Sequence, residues 1–305
     1  MNKFAISIII LVISMISQPF SCLAEQLNVI TSMTTLEEIT NDIGGKWVKV
    51  SNIGPHDQDL HFVIIKPSHV QLLTNAKMLV HTGLMGEPWL AGLLEAASNM
   101  SLMPGQVGDC DASLGIKVLE KPEALSREMG DVHPGGNPHF WLDPINIITA
   151  GANVKNKLIA LMPQHKVDFE ANFTVFAQRW KIKILDWAKR IDQVKPVKVI
   201  DYHISWSYFF DRFKLERVAA IEMKPGIKPS GAHIAKVISA GKANNVDFVI
   251  AEPFFPQRDI RMVANELNVP ALIIQQSPGG NYKRQEDVVE AIVSFIEKIK
   301  TGGEK

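Results

Sequence analysis

The 305-residue chain is about twice as long as a typical domain, so it is expected to form two domains or one large one. Hydrophobic residues make up 46% of the sequence and charged residues 21%, which are values of a globular protein with a sizeable core. The 32 basic and 32 acidic residues balance, and this excludes a strong overall field that would attract nucleic acid or an anionic membrane surface.

Residues 1–24 have the pattern of a secretory signal peptide. Lys3 precedes an uncharged apolar run over residues 4–16, and a small-residue boundary ends at Ala24. The apolar run is too short to span a membrane, so we expect cleavage rather than membrane insertion of the mature chain. The alternatives are an uncleaved anchor and lipid attachment at Cys22, although no leucine stands three residues before that cysteine.

The mature chain is expected to keep a single cysteine. Cys22 leaves with the signal peptide, so Cys110 has no partner for an internal disulfide. The fold must then be stabilised by its core rather than by covalent cross-links. Export without disulfides is consistent with a bacterial periplasm, which is the location we predict.

Short apolar runs alternate with helical segments in the first half of the mature chain. Strands are predicted at 28–32, 47–53 and 78–82, and helices at 35–43, 67–76, 87–98 and from Pro144 to about Leu161. Residues 99–143 are rich in Gly and Pro and have little periodicity. A loop of that length is expected to be functional.

A long helix is predicted between the two halves of the chain. From His165 to about Val194, apolar residues recur at helical spacing, namely Phe169, Phe173, Phe176, Trp180, Ile184, Trp187 and Ile191. At 1.5 Å per residue, such a helix would be roughly 45 Å long. We interpret it as a rigid backbone helix whose aromatic stripe belongs to the core.

The alternation of strands and helices resumes in the second half. Strands are predicted at 197–201, 217–221, 247–251 and 270–274, and helices at 205–212, 230–244, 259–267 and 285–300. Such alternation favours an α/β fold of two β/α domains with parallel sheets. The predicted divisions are an N-terminal domain (25–162), the linking helix (163–194) and a C-terminal domain (195–305).

Three histidines are the candidate metal ligands. His61 follows the second predicted strand, His203 follows the strand that ends at Asp201, and His139 lies in the Gly- and Pro-rich segment before a helix start at Asp143. Ligands of parallel β/α sheets bind at the carboxyl ends of strands, and two-domain proteins place them in the interdomain cleft. Three neutral imidazoles can supply most of a tetrahedral Zn²⁺ site.

A metal-bound imidazole needs an acceptor for its second ring nitrogen. Asp59, Asp143 and Asp201 lie near the three candidates in sequence, but each also has an ordinary role, such as the helix cap expected of Asp143. Spacing alone does not separate these roles. His56 and His133 lie near the same segments and are interpreted as groups that support the ligands or bind the metal only in transit.

Five blocks of the sequence resemble the zinc/manganese solute-binding proteins of bacterial ABC importers, the cluster A-I family. The blocks are Asp59-Leu60-His61-Phe62 with Lys66-Pro67-Ser68, Gly83-Leu84 with Glu87-Pro88-Trp89-Leu90, residues 136–144, Tyr202-His203 with Trp206-Ser207-Tyr208-Phe209, and Ala251-Glu252-Pro253. They occur in the family's order and cover essentially the whole mature chain. The resemblance implies two β/α domains joined by a long backbone helix, with the metal in the cleft on His61, His139 and His203.

The sequence departs from the family's pattern in two places. The family's fourth ligand is an aspartate in an Asp-Pro pair after the last strand, where this chain has Ser277 followed by proline. Glu222, Glu252, Ser277 or a water molecule could fill that position. The histidine-rich loop of many zinc-specific members is also missing, so Mn²⁺ stays an alternative to the Zn²⁺ that three nitrogen ligands favour.

The sequence therefore favours a monomeric periplasmic receptor, not an enzyme, that captures a divalent metal ion and passes it to an inner-membrane ABC permease. The rival is a secreted zinc hydrolase that uses the same three histidines, with Glu222 or Glu252 as general base. A third hypothesis is a receptor of the same fold that binds an organic ligand without metal.

Overall fold

The structure is a computed structural model that describes residues 26–122, 134–222 and 226–302. The predicted signal peptide, including Cys22, lies outside the described residues, and so does His133. Within the described ranges, no helix has both the length and the apolar character needed to cross a bilayer.

Parallel strands and their crossover helices build the first half. Its elements are β1 (Leu27–Met33), α1 (Thr34–Gly44), β2 (Val48–Gly54), α2 (Pro67–Thr74), β3 (Met78–His81), α3 (Leu90–Ala97), β4 (Asp109–Asp111) and α4 (Pro144–Leu161). The strands pair in the order β2-β1-β3-β4, and every pair is parallel. The central strands β1 and β3 are buried over most of their length, as expected of parallel strands that are covered on both faces.

The second half repeats this arrangement. Its elements are β5 (Lys198–Asp201), α6 (Ser207–Phe213), β6 (Glu216–Ala220), α7 (Gly231–Asn244), β7 (Phe248–Ala251), α8 (Gln257–Leu267), β8 (Ala271–Ile273) and α9 (Gln285–Thr301). The strand order β6-β5-β7-β8 corresponds strand for strand to the first sheet, again with parallel pairing. The prediction of an α/β fold with two β/α halves is confirmed.

Helix α5 (Lys166–Asp192) connects the two halves over 27 residues. Its buried face consists of Phe169, Phe176, Ala177, Trp180, Ile184, Trp187 and Ile191. This confirms the predicted stripe except at Phe173, which is only partly buried. One hydrophobic core runs from the first sheet across this helix to the second sheet, so the connection is a packed element rather than a flexible linker.

Strand β4 is the element that the sequence did not predict. It is a three-residue Asp-Cys-Asp segment within the stretch expected to be irregular, and only Cys110 in its centre is fully buried. Asp109 accepts a hydrogen bond from Nε2 of His81 at 2.8 Å. Burial raises the pKa of the Cys110 thiol to about 12, so this free cysteine stays neutral.

Charged residues connect the two halves beside α5. Arg284, just before α9, contacts Glu38 at 2.8 Å and Asp42 at 2.5 Å on α1. Arg179 of α5 contacts Asp42 at 2.6 Å and Glu286 at 3.1 Å. We refer to these five residues as the interdomain charge cluster.

Candidate metal centre

The three predicted histidines meet between the two halves. His61 lies in a 3₁₀ turn after β2, His139 immediately precedes another 3₁₀ turn that leads into α4, and His203 lies two residues after β5. All three side chains are buried, and one ring nitrogen from each lies within 4.8 Å of those of the other two. We refer to them as the three-histidine group. Among the described residues, no Cys, Asp or Glu joins this group of converging ligand atoms.

An oxygen acceptor lies against the Nδ1 atom of every imidazole in the group. These Nδ1 atoms lie 2.8 Å from the carbonyl oxygen of Gly86 for His61, 3.3 Å from Oε1 of Gln276 for His139, and 2.5 Å from Oε2 of Glu222 for His203. Carbonyl, amide and carboxylate oxygens only accept hydrogen bonds, so each Nδ1 carries a proton. Each neutral ring therefore keeps the lone pair of its Nε2 atom for a ligand.

The spacing of these Nε2 atoms suits a bound cation. The Nε2 atoms of His61 and His139 are 3.2 Å apart. Two lone pairs directed at each other over that distance repel unless a proton or a cation lies between them. With Zn–N bonds of 2.0–2.1 Å, two nitrogens of a tetrahedral site are about 3.3 Å apart. The donor set thus fits a zinc ion without rearrangement of this pair.

Neighbouring polar side chains fix the backbone at two of the histidines. The backbone N–H of His61 donates to Oδ1 of Asp59 at 2.9 Å, and the backbone N–H of His139 donates to Oδ1 of Asn137 at 2.9 Å. The Nδ2 group of Asn137 donates in turn to the carbonyl oxygen of Ile204 in the second half, at 2.8 Å. His139, although it belongs to the first half, is therefore positioned by both halves.

The carboxylates near the histidines in sequence have ordinary roles rather than orienting the imidazoles. Asp143 accepts two hydrogen bonds from Arg212, both at 2.7 Å, and caps the first turn of α4. Asp201 is fully buried and pairs with Arg217 at 2.9 Å; burial raises the pKa of Asp201 to about 6 even though Arg217 favours its charged form. Asp59 holds a backbone amide, as described above.

Sequence reasoning predicted none of the three groups that orient the imidazoles in that role, since Glu222 was expected only as a fourth ligand or a general base. The acceptor for His61 is the backbone carbonyl of Gly86, which leaves no signal in a sequence. Gln276 directly precedes Ser277 in the sequence, and a neutral amide is not a usual sign of a metal site. Its Nε2 group donates to Oε1 of Glu252, and this bond turns Oε1 of Gln276 toward His139.

The candidates for a fourth ligand lie outside the three-histidine group, and two of them are bound to other groups. Glu222 accepts from His203 through Oε2 and from the backbone N–H of Gly226 through Oε1, at 2.9 Å. The hydroxyl of Ser277 is hydrogen-bonded to that of Thr35 at 3.1 Å. Glu252 is fully buried beside Gln276, and burial raises its pKa to about 7.

Glu222 also raises the pKa of His203. Burial lowers the pKa of His203, but the hydrogen bond and the negative charge of Glu222 outweigh this effect and raise it above the ordinary value. A negative group behind the imidazole makes the ring a stronger donor to a cation on its other side.

His56 lies apart from the three-histidine group. Its ring packs against Gly279 in the space that a Cβ atom at that glycine would occupy. Gly279 has a φ of +147°, so a side chain there would be both strained and obstructed. We find no place for His56 among the ligands.

Comparison with known proteins identifies the family. The model of the family described as zinc-uptake complex component A, periplasmic, matches residues 29–302. The high-affinity zinc uptake system protein ZnuA of Yersinia pestis is 27% identical over 259 residues, which is 79% of this chain and 80% of that protein. The manganese-binding lipoprotein MntA of Halalkalibacterium halodurans is 23% identical over 283 residues, 88% of this chain and 87% of that one.

A solved structure supports the same assignment at the level of the fold. The crystal structure of ZnuA superposes with a TM-score of 0.78 at 24% sequence identity, over 90% of this chain and 100% of that chain. The family match spans both sheets and the helix that connects them. The chain therefore belongs to the family of periplasmic zinc-uptake components.

Proposed function

We propose that this protein captures a divalent metal ion, with Zn²⁺ as its main cargo, and delivers it to the membrane permease of an ABC importer. His61, His139 and His203 are the proposed ligands. Membership of the periplasmic zinc-uptake family supports the transport role, and the relatives named above are a zinc uptake system protein and a manganese-binding lipoprotein.

The observation that carries the proposal is the orientation of the three imidazoles. Each has an acceptor behind its Nδ1 atom, so three neutral nitrogen donors converge in a buried site between the halves. Holding uncharged imidazoles in this arrangement has a clear physical use, because a metal ion binds only unprotonated rings.

The donor set also favours zinc over manganese. Three imidazole nitrogens suit Zn²⁺, whereas Mn²⁺ prefers carboxylate, carbonyl and water oxygens. Glu222 and Glu252 could have supplied such oxygens, but both are held by other groups. Manganese is the second candidate because one of the relatives is named as a manganese-binding lipoprotein.

The hydrolase hypothesis is not supported. Members of this family are binding components of metal importers, not enzymes. A hydrolase would also need a carboxylate free to accept a proton from a metal-bound water. Glu222 already accepts bonds from His203 and Gly226, so it is not available for that role.

We also propose the boundaries of the signal peptide and the domains. We assign 1–24 to a signal peptide, 25–162 to the N-terminal domain, 163–194 to the linking helix and 195–305 to the C-terminal domain. The placement of one four-stranded sheet on each side of α5 supports these boundaries. We propose that the mature protein is a periplasmic monomer.

Metal analysis tests the proposal directly. Residues 25–305 are purified, stripped with a chelator and titrated with Zn²⁺ and Mn²⁺ against a competing indicator. We expect one zinc ion per chain, bound more tightly than manganese, and a loss of at least about 100-fold in zinc affinity for His139→Ala, because a tetrahedral site loses one of its three protein donors.

The matched control is His233→Ala. His233 lies on α7, where its ring contacts the carbonyl oxygen of Ala220, and it takes no part in the three-histidine group. This variant should bind zinc as the parent does. A parent protein that binds neither zinc nor manganese would instead leave the organic-ligand hypothesis standing.

A further inference from the structure

The cavity in front of the three-histidine group is much larger than a metal ion needs. Its volume is about 520 Å³, and His61 and His203 form part of its wall. Pockets for small organic ligands span about 300–1,000 Å³, whereas a water molecule occupies about 30 Å³ of liquid. The size of this cavity is therefore that of a small-molecule site.

The described residues leave one position of a tetrahedral metal centre to be filled. A tetrahedral zinc site takes four ligands, and the described residues supply three converging donors. Glu222 and Ser277 are bound to other groups, and Glu252, which binds Gln276 through Oε1, has no oxygen in the three-histidine group. Because His61 and His203 line the cavity, a ligand bound in it lies beside the metal centre and can supply the fourth donor.

The charges on the cavity wall favour an anion once the metal is bound. Lys228 and Arg258 line the cavity, and within the described ranges neither has an ion-pair or hydrogen-bond partner. The acidic lining residues are Asp59, Glu222 and Asp259. Two cations against three carboxylates give the wall a charge of −1, which a divalent ion changes to +1.

Aromatic rings form another part of the same wall. Phe62, Phe254 and Phe255 line the cavity, and the rings of Phe254 and Phe255 contact each other with centroids 4.8 Å apart. The ring of Phe255 also lies 5.8 Å from that of His203. Apolar surface next to two free cations suits a ligand with a carbon skeleton better than an inorganic anion.

We propose that the cavity binds a small organic carboxylate together with the metal ion, so that the cargo is a ternary complex. One carboxylate oxygen occupies the fourth coordination position, and a second carboxylate of the same molecule pairs with Lys228 and Arg258. The carbon skeleton lies against the phenylalanine rings. This inference rests on the proposed metal-binding function and adds the chemical class of a second ligand to it.

Equilibrium dialysis with labelled succinate tests this proposal on the full mature chain. Zinc affinity is first measured in a buffer without carboxylates, which tests the metal site alone. We then expect the zinc-loaded protein to bind one succinate at least about tenfold more tightly than the metal-free protein does, since the ion supplies a direct bond and two positive charges. With Co²⁺ in place of Zn²⁺, succinate should shift the visible d–d absorption bands, which report coordination to the metal.

Two double variants separate this site from general surface charge. Lys228→Met with Arg258→Met should lose the zinc-dependent succinate binding by about tenfold or more while keeping the parent's zinc affinity in the carboxylate-free buffer. Lys236→Met with Arg261→Met, which removes exposed cations on α7 and α8 outside the cavity, should leave both measurements unchanged.

Several results would overturn the proposal. Equal succinate binding with and without zinc, an unchanged cobalt spectrum, or equal binding by the Lys228/Arg258 variant would each exclude a ternary complex. Sulfate that displaces succinate at equal concentration would show a general anion site rather than a carboxylate site. Failure of the parent to bind zinc in the first step would instead remove the proposed function, and this inference with it.

Discussion

Glu222 lies behind one of the three proposed metal ligands. Its carboxylate joins the Nδ1 side of His203 to the backbone N–H of Gly226, so it fixes both the tautomer and the direction of the imidazole. It also places a negative charge behind the ring, on the side away from the converging nitrogens. Glu222 is therefore expected to change how tightly the site binds a metal ion, although it is not one of the three proposed ligands.

We predict that Glu222→Leu weakens zinc binding by about 10–100-fold, because His203 loses its acceptor and must be oriented by packing alone. Glu222→Gln should cost less, since the amide oxygen can still accept from Nδ1. Competition titration against a zinc indicator measures both variants, with Glu266→Leu on the exposed side of α8 as control. A loss as complete as that of His139→Ala would make Glu222 a direct ligand.

The three proposed ligands could be named from the sequence, whereas the groups that lie behind their rings could not. His61 and His203 follow strands, so the topology of a parallel sheet places them at the same edge, and the resemblance selected His139. The acceptor for His61 is a backbone carbonyl, and that for His139 is a neutral amide aligned by Glu252. Such partners depend on the fold as a whole, so residue type and spacing do not reveal them.

At the scale of elements, the close approach of α4 to α5 depends on a glycine. A Cβ atom added at Gly151 of α4 would lie 2.7 Å from a ring carbon of Phe176 on α5 and 3.2 Å from Ile43. By contrast, a Cβ atom at Gly92 of α3 would meet nothing within 4 Å. Gly151 is therefore needed for close packing, whereas Gly92 only lowers the stability of its helix.

We predict opposite effects for the two glycine-to-alanine substitutions. Gly151→Ala should lower the free energy of unfolding by about 1 kcal/mol, because overpacking of about 1–3 kcal/mol exceeds the gain in helix propensity. Gly92→Ala should raise it by about 0.5–1 kcal/mol, since that site is open. Urea unfolding of the metal-free protein measures both, and a Gly151→Ala variant as stable as Gly92→Ala would contradict the close contact.

The elements themselves were largely predictable because their patterns are periodic. Helix α5 extends over Lys166–Asp192, inside the predicted 165–194, since its apolar stripe continues for the whole length. Strand β4 was missed because only Cys110 of its three residues is apolar, and its place in the sheet depends on pairing with β3. A strand that short has no pattern of its own, so only the tertiary structure defines it.

At the scale of the whole molecule, the interdomain charge cluster connects α1, α5 and the start of α9. Glu38 is its most affected member, with a side chain only 11% exposed. Burial raises the pKa of Glu38 from its ordinary value of 4.5 to about 7, although the backbone N–H of Gln285 and the charge of Arg284 favour the ionised form. The folded protein therefore holds the Glu38 proton more tightly than the unfolded chain does.

This difference in pKa makes the contribution of Glu38 to the stability of the folded protein depend on pH. Because the folded-state value is the higher one, the stability that a protonated Glu38 contributes is fully present below about pH 4.5 and is lost as the pH rises to about 7. A shift of this size corresponds to at most about 3 kcal/mol. Ionised Glu38 is thus a cost to the folded state at pH 8, even with Arg284 beside it.

We predict that Glu38→Gln, which cannot ionise, stabilises the metal-free protein at pH 8 by up to about 3 kcal/mol and has little effect near pH 4.5. Thermal unfolding of parent and variant between pH 4.5 and 8.5 gives this difference directly, and subtraction removes the titration of groups that both proteins share. Glu95→Gln, on the exposed face of α3, should show no such trend. A difference that stays constant with pH would mean that Arg284 fully compensates the charge of Glu38, so that ionisation of Glu38 has no effect on the stability of the folded protein.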